Sequence, residues 1–206
     1  NIEKMLQLVN NTELHKISVN KSTIVYDTDN KIEDTLERLC EELFPYIENN
    51  IYNGYKAQII ESKLILHIKS DKEYDIGQFL WHRDNHIPDI LNIMILLSDV
   101  NESCGEMEYL SKNGEIIVYP YQFPSGGIQF DPKLVKKYDI NKCTGVKGDA
   151  FVFNNCIIHR ASTPKKQDRT VILLQIIPRK SIDKYFDRSV VKVSNNQRDK
   201  YVSSFT

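Results

Sequence analysis

Charge of one sign is the first thing this chain lacks: 27 Lys and Arg stand against 28 Asp and Glu, for a formal net charge of −1. No bulk field gathers a nucleic acid backbone or an anionic membrane, so the expected partner is a small molecule and not nucleic acid. Long apolar runs are missing too. The longest is interrupted by Asn92, well short of the roughly 20 residues that cross a bilayer, and Asn1-Ile2-Glu3-Lys4 carries no secretory pattern. A soluble, cytoplasmic protein without a membrane span is the expectation. The first residue is not Met, which leaves room for a longer native chain. Cysteine is sparse: Cys40, Cys104, Cys143 and Cys156 form neither a disulfide framework nor a Cys-x-x-Cys zinc pair, and they read as reduced packing residues. What is present is 41% hydrophobic content in 206 residues, enough for the core of one domain and too much for a disordered polymer.

The N-terminal third carries one helix signal. Asn30 and Glu33 suit a capping box, and Ile32, Leu36, Leu39, Cys40, Leu43 and Ile47 fall on one helical face, with Pro45 expected to kink or divide the helix near Phe44. From about Lys63 the pattern changes to short runs rich in Ile, Leu, Val and Phe: 64–68, 90–97, 115–119, 150–153 and 170–177. These read as strands. The turns between them, Ser70-Asp71, Asn101 to Gly105, Lys112-Asn113-Gly114 and Lys147-Gly148-Asp149, suit an antiparallel double sheet better than βαβ units. The expected fold is mainly β with flanking helices, a jelly roll. One domain covers 1–206, with 1–62 a helical support, 63–178 the jelly-roll core, 119–145 a loop insertion and 179–206 a solvated tail. The insertion interleaves prolines with Tyr121, Phe123, Phe130 and Tyr138, and it reads equally as a lid over a ligand or as a small core of its own.

The chemistry begins at His82-Arg83-Asp84. In an extended segment residues i and i+2 point to the same side, so His82 and Asp84 aim an imidazole and a carboxylate at one point. Alone the pair is a weak signal. It gains weight from Gly148-Asp149, the apolar run after it, His159, and Arg169 at the start of the next strand, a layout that sets His159 and Arg169 on neighbouring strands. Two imidazoles and one carboxylate on one face of an octahedral metal leave three positions open, the arrangement of non-haem Fe(II) oxygenases. A keto acid fills two of them and leaves one for O2. The far carboxylate of 2-oxoglutarate then needs a cation, which a planar guanidinium meets bidentately, and Arg169 is the candidate.

The segments Phe79-Leu80-Trp81-His82-Arg83-Asp84, Leu97-Ser98-Asp99-Val100-Asn101-Glu102 with Gly105, and Gly148-Asp149 through His159 to Arg169 resemble the phytanoyl-CoA dioxygenase family of Fe(II)/2-oxoglutarate oxygenases over roughly residues 78–177. The resemblance implies a double-stranded β-helix of the cupin-like kind, iron held by His82, Asp84 and His159, and 2-oxoglutarate anchored by Arg169. It also implies a cosubstrate contact from Asn92, whose amide amid Ile90, Leu91, Ile93 and Met94 would be costly without a partner; a turn-facing or backbone-bonded Asn92 is the competing reading. The implied activity is hydroxylation of an aliphatic C–H bond of a small molecule, with O2 consumed and succinate and CO2 released. Asp84 occupies the position that a halogenating relative leaves open for chloride. A cupin-like metal isomerase or epimerase, and a noncatalytic binding domain on the same fold, are the alternatives; Arg169 speaks against the first.

The chain departs from the family after its acidic turn, where Gly105-Glu106-Met107-Glu108-Tyr109 stands in place of Gly-Pro-Leu, and at Val171, where a hydroxyl residue is usual. These departures leave the substrate open, and a coenzyme A thioester is not implied. Among the other polar residues, His67 reads as a core or rim histidine ahead of a site residue. His86 binds substrate or faces water, His15 is a surface residue, Lys69 reads as an exposed strand end ahead of an aid to the cosubstrate carboxylate, and Trp81 is a packing residue or a support for the neighbouring ligand.

Overall fold

Alternation along the strands decides the architecture. The computed structural model describes Met5, Gln7, Val9 and residues 14–28, 30–40, 43–84, 88–119 and 128–181. In chain order they form β1 (Lys16–Val19), β2 (Thr23–Asp27), helices α1 (Asn30–Leu39) and α2 (Leu43–Asn50), β3 (Ala57–His67), a 3-10 turn (Gly77–Phe79), β4 (His82–Arg83), β5 (Leu91–Leu96) and β6 (Met107–Lys112). Then follow β7 (Glu115–Ile116), β8 (Ile128–Gln129), α3 (Pro132–Val135), β9 (Asp139–Cys143), β10 (Ala150–Asn154), β11 (His159–Ala161) and β12 (Arg169–Pro178).

Two antiparallel sheets result. The first has the order β1-β2-β3-β12-β5-β10, the second β7-β6-β11-β4-β8 with β9 also on β6. Consecutive strands β3, β4, β5 and β6 alternate between the sheets, and so do β9, β10, β11 and β12. That winding is the double-stranded β-helix, a jelly roll, as expected. Among the described residues no helix is long and apolar enough to cross a membrane.

The first sheet has two different faces. Outward, Leu64, Leu91, Ile93, Ile95, Ile172, Leu174 and Ile176 pack against Ile32, Leu36, Cys40 and Ile47 of the two helices. Inward, Met94, Leu96 and Val171 meet Met107 and, more loosely, Phe153. Trp81 packs with Leu110, Phe130 and Ile158 in a separate cluster, its ring lying 4.7 Å from the Arg160 guanidinium carbon. All four cysteines are free thiols, Cys40 and Cys104 buried, Cys143 and Cys156 half-buried.

The structure departs from the sequence reading in three places. The segment 1–62, expected to be a helical support, also contains β1, β2 and the first half of β3; the polar stretch Glu61-Ser62-Lys63 interrupts the apolar residues there, so no continuous apolar run marks the strand. The expected loop insertion at 119–145 contains β9, a strand of the second sheet with mostly exposed side chains, Asp139-Ile140-Asn141-Lys142-Cys143. Its Tyr121 and Phe123, like His86 and the tail beyond 181, lie outside the described residues. Helix α1 ends at Leu39 and α2 begins at Leu43, so the division precedes Phe44, and Pro45 sits in the first turn of α2, where its missing N–H would have no helical acceptor anyway.

Candidate metal centre

His82 lies on β4 and His159 on β11, directly opposite each other in the antiparallel ladder. Asp84 is two residues beyond His82, on the same side. The three offer ligand atoms within 4.8 Å of one another. His82 Nε2 is 3.4 Å and His159 Nε2 3.7 Å from the same oxygen, Asp84 Oδ1. Donor atoms about 2.1 Å from a shared ion stand roughly 3.0–3.4 Å apart for angles between 90° and 109°. The trio is therefore nearly at coordination spacing.

The tautomers are set by the backbone. His82 Nδ1 is 2.7 Å from the Leu80 carbonyl, and His159 Nδ1 is 3.1 Å from the Ile157 carbonyl. Each carbonyl is two residues back, and each calls for an Nδ1–H donor. Both Nε2 lone pairs are then turned to the centre, the orientation that metal-binding histidines receive from their outer partners. Burial pulls His159 below the ordinary imidazole value, with the Asp84 carboxylate opposing. At His82 burial acts in the same direction, but hydrogen bonding to Asp84 and its charge outweigh it and raise the value. The His82 and His159 rings are 4.4 Å apart, and Phe153 closes one side with its ring 5.4 Å from that of His159.

Asn92 stands behind the carboxylate. Its Nδ2 donates to Asp84 Oδ2 over 3.0 Å and to Asn155 Oδ1 over 2.5 Å, while its Oδ1 accepts from Gln175 Nε2 over 3.1 Å. The side chain is fully buried, and its polar atoms are engaged as burial requires. The reading of Asn92 as turn-facing or backbone-bonded does not hold.

His82, Asp84 and His159 lie in the wall of a cavity of about 490 Å³ that Arg169 also lines. Arg169 is 4% exposed. Its Nη1 donates to the Gly105 carbonyl, its Nη2 is 3.6 Å from Met94 Sδ, and its Nε has no hydrogen-bond partner among the described groups. Burial lowers its pKa to about 10, with the nearby Glu106 carboxylate pulling the other way, so it remains a cation at neutral pH. Gly105 presents that carbonyl at φ +83°, and a Cβ there would come within 2.7 Å of Pro164 Cγ; glycine is the residue that fits.

His67, the β3 residue directly opposite Arg169 in the β3–β12 ladder, also lines the cavity. Its Nδ1 lacks a partner, and burial followed by the Arg169 charge holds it well below the ordinary value. His15 and Lys69 are exposed. Among the lining residues that sequence reasoning missed are Glu61, Lys63 and Gln175. The signal for Gln175 was of the same kind as for Asn92, one amide within an apolar strand.

No protein-family model matches the chain, and no curated protein matches it by sequence. Solved structures do match its fold. The epimerase SnoN, crystallised with Fe3+, alpha ketoglutarate and nogalamycin RO, superposes with a TM-score of 0.60 at 15% identity over 85% of this chain and 72% of that one. HygX from Streptomyces hygroscopicus, with nickel and 2-oxoglutarate bound, gives 0.60 at 12% identity over 86% and 78%. An oxidoreductase of the 2OG-Fe(II) oxygenase family from Burkholderia pseudomallei gives 0.58 at 15% identity over 86% and 77%. At these identities the likeness is one of fold.

Proposed function

We propose that this chain is an Fe(II)/2-oxoglutarate-dependent oxygenase, akin to the phytanoyl-CoA dioxygenase family, that hydroxylates an aliphatic C–H bond of a small molecule with O2 and releases succinate and CO2. The observation that carries the reading is the juxtaposition of two Nε2 atoms and a carboxylate on one cavity wall with a buried guanidinium in the same cavity. The donor set fits iron: two imidazoles and one carboxylate, each held by an outer hydrogen bond. The cosubstrate fits as well, since a carboxylate at Arg169 would meet a cation that lacks an acceptor at Nε. That neighbours on this fold hold iron or nickel with 2-oxoglutarate supports the same pair of ligands.

In this reading His82, Asp84 and His159 hold the metal, and iron with the keto acid supplies the oxidation of the C–H bond when both are bound. The protein's own work is placement. Leu80 and Ile157 carbonyls select the Nδ1–H tautomer of each neutral imidazole, which leaves Nε2 free for a metal, and Asn92 keeps Asp84 Oδ2 occupied so that Oδ1 faces the centre. Arg169 anchors the far carboxylate, while Val171, Met94 and Phe153 shed water from the wall. Asn92 is thereby a positioning residue for Asp84 rather than a contact of the cosubstrate, because its amide is spent on Asp84, Asn155 and Gln175.

Anaerobic titration with Fe(II) and then 2-oxoglutarate tests the reading. A saturable, cosubstrate-dependent absorbance is expected, and its absence in the metal-loaded protein would return the chain to a noncatalytic domain. With substrate, succinate release should accompany a product heavier by one oxygen. The epimerase on this fold favours a second outcome, inversion at the same carbon; a product of unchanged mass would select it.

A further inference from the structure

Asp84 sets the polarity of a hydrogen-bonded chain that ends in the cavity. An ionised carboxylate only accepts, so Asn92 must offer it Nδ2, which leaves Asn92 Oδ1 to receive Gln175 Nε2. Gln175 is left with Oε1. That atom is buried without a hydrogen-bond partner, on a side chain that is 4% exposed and lines the cavity. Directly across the β3–β12 ladder stands Glu61, with Lys63 Nζ 2.7 Å from its Oε1, and both side chains line the same cavity.

This cluster lies at the opposite end of β12 from Arg169, about 20 Å along the strand at roughly 3.3 Å per residue. Between the two ends the inward positions are the apolar Val171 and Leu173. The anion-binding end and the acceptor-bearing end are thus separate, and only the second is coupled through Asn92 to the metal ligand Asp84.

We propose that Gln175 Oε1 and Glu61 form the subsite for the primary substrate, and that they receive a hydroxyl or amino hydrogen of a polar, donor-bearing small molecule. The inference rests on the reading of the centre as an Fe(II)/2-oxoglutarate site and names the substrate class for it. A buried amide oxygen without a donor carries its full desolvation cost, which an N–H or O–H relieves and an acyl chain does not. Lys63 holds the Glu61 carboxylate and offers its remaining N–H groups to the oxygens of the same molecule. A target carbon near such a donor would be presented next to Asp84, where the metal is held.

Calorimetric titration of the anaerobic, Fe(II)- and 2-oxoglutarate-loaded full chain tests this with three probes: glucosamine, glucitol and octanoate. At least one of the first two should bind, more tightly than octanoate, and which one does separates an amino from a hydroxyl donor. That binding should weaken by about tenfold or more in Gln175→Leu and in Glu61→Ala, as expected for hydrogen bonds to a buried acceptor and to a charged group. Glu61, whose side chain is 26% exposed, decides alone where the Gln175 variant fails to fold. Silence from both donor probes, tighter binding of octanoate, or undiminished binding in Glu61→Ala would overturn the proposal. The unsubstituted protein titrated with 2-oxoglutarate alone keeps the two claims apart: if it binds the cosubstrate while the probes fail, only the subsite is lost.

Discussion

Strand β12 carries two surfaces of opposite character on alternate residues. Ile172, Leu174 and Ile176 have no solvent exposure and pack on the helices. Arg169, Val171, Leu173 and Gln175 face the cavity. Both surfaces are largely buried, so burial does not distinguish them. The difference is in how polar atoms are tolerated: on the helix side these positions carry none, whereas on the cavity side Arg169 and Gln175 are each bonded to protein and each keep one polar atom, Nε and Oε1, without a hydrogen-bond partner among the described groups. A core minimises such orphans, and a ligand site keeps them for a partner that arrives later. Substitutions on the cavity side should therefore change what the protein binds, and those on the helix side how firmly it folds.

The sharpest break of that rule would come from the centre itself. Asp84→Ala removes one of the three proposed ligands and strands the Asn92 amide, so metal affinity should fall by more than the roughly 10–100-fold that loss of an outer partner costs. Turnover should vanish, and full retained activity would refute the centre. Arg169→Leu comes next. Removing one partner of a buried, hydrogen-bonded charge pair costs about 2–5 kcal/mol, so 2-oxoglutarate should bind about 100-fold more weakly while Fe(II) binding holds; equal affinities in a titration would contradict the anchor.

On the helix side Leu174→Ala should do the reverse. A buried leucine cut to alanine costs about 2–5 kcal/mol, and each kcal/mol moves Tm by about 2–4 °C in a chain of this size. The affinity for 2-oxoglutarate should be retained. A weakened cosubstrate with an unshifted Tm would mean that the two faces are not independent.

These contrasts also explain what could be read from the sequence. The outer face of β12 and the placing of His82 beside Asp84 were legible because each leaves a local mark: a largely apolar run from Val171 to Ile177, and a histidine and a carboxylate two residues apart. Strand β9 was not, since its Asp139-Ile140-Asn141-Lys142-Cys143 sits at a sheet edge where exposed polar side chains are tolerated, and it reads as loop. The first half of β3 was hidden for the opposite reason. Its inward Glu61 and Lys63 look like solvent-facing residues until the sheet is folded over them. Asn92 was legible as an oddity and its partners were not, because Asp84 follows β4 of the other sheet and Asn155 and Gln175 stand 63 and 83 residues away, and spacing alone does not reveal them.

His67 provides the smallest and most discriminating test of the cavity face. The imidazole packs edge-on to Phe79, with ring centroids 5.4 Å apart, and is paired in register with Thr23 on one side and Arg169 on the other. Burial, and then the Arg169 charge, hold its pKa well below 6.5. The sign follows from linkage. Above 6.5 neither folded nor unfolded chain protonates this residue; below it the unfolded chain takes up a proton that the folded chain refuses, so stability falls with pH until the depressed folded value is reached. One such group contributes a slope of up to about 1.4 kcal/mol per pH unit. His159 is lowered by burial as well and adds in the same direction, while His82, raised by Asp84, opposes them. His67→Leu should thus leave Tm near pH 8 little changed and make its decline toward pH 5.5 shallower without abolishing it, measured on the metal-free protein. An unchanged acid slope would mean that His67 is protonated as readily in the folded chain as in the unfolded one, and that the Arg169 end of the cavity is wetter and less positive than its geometry requires.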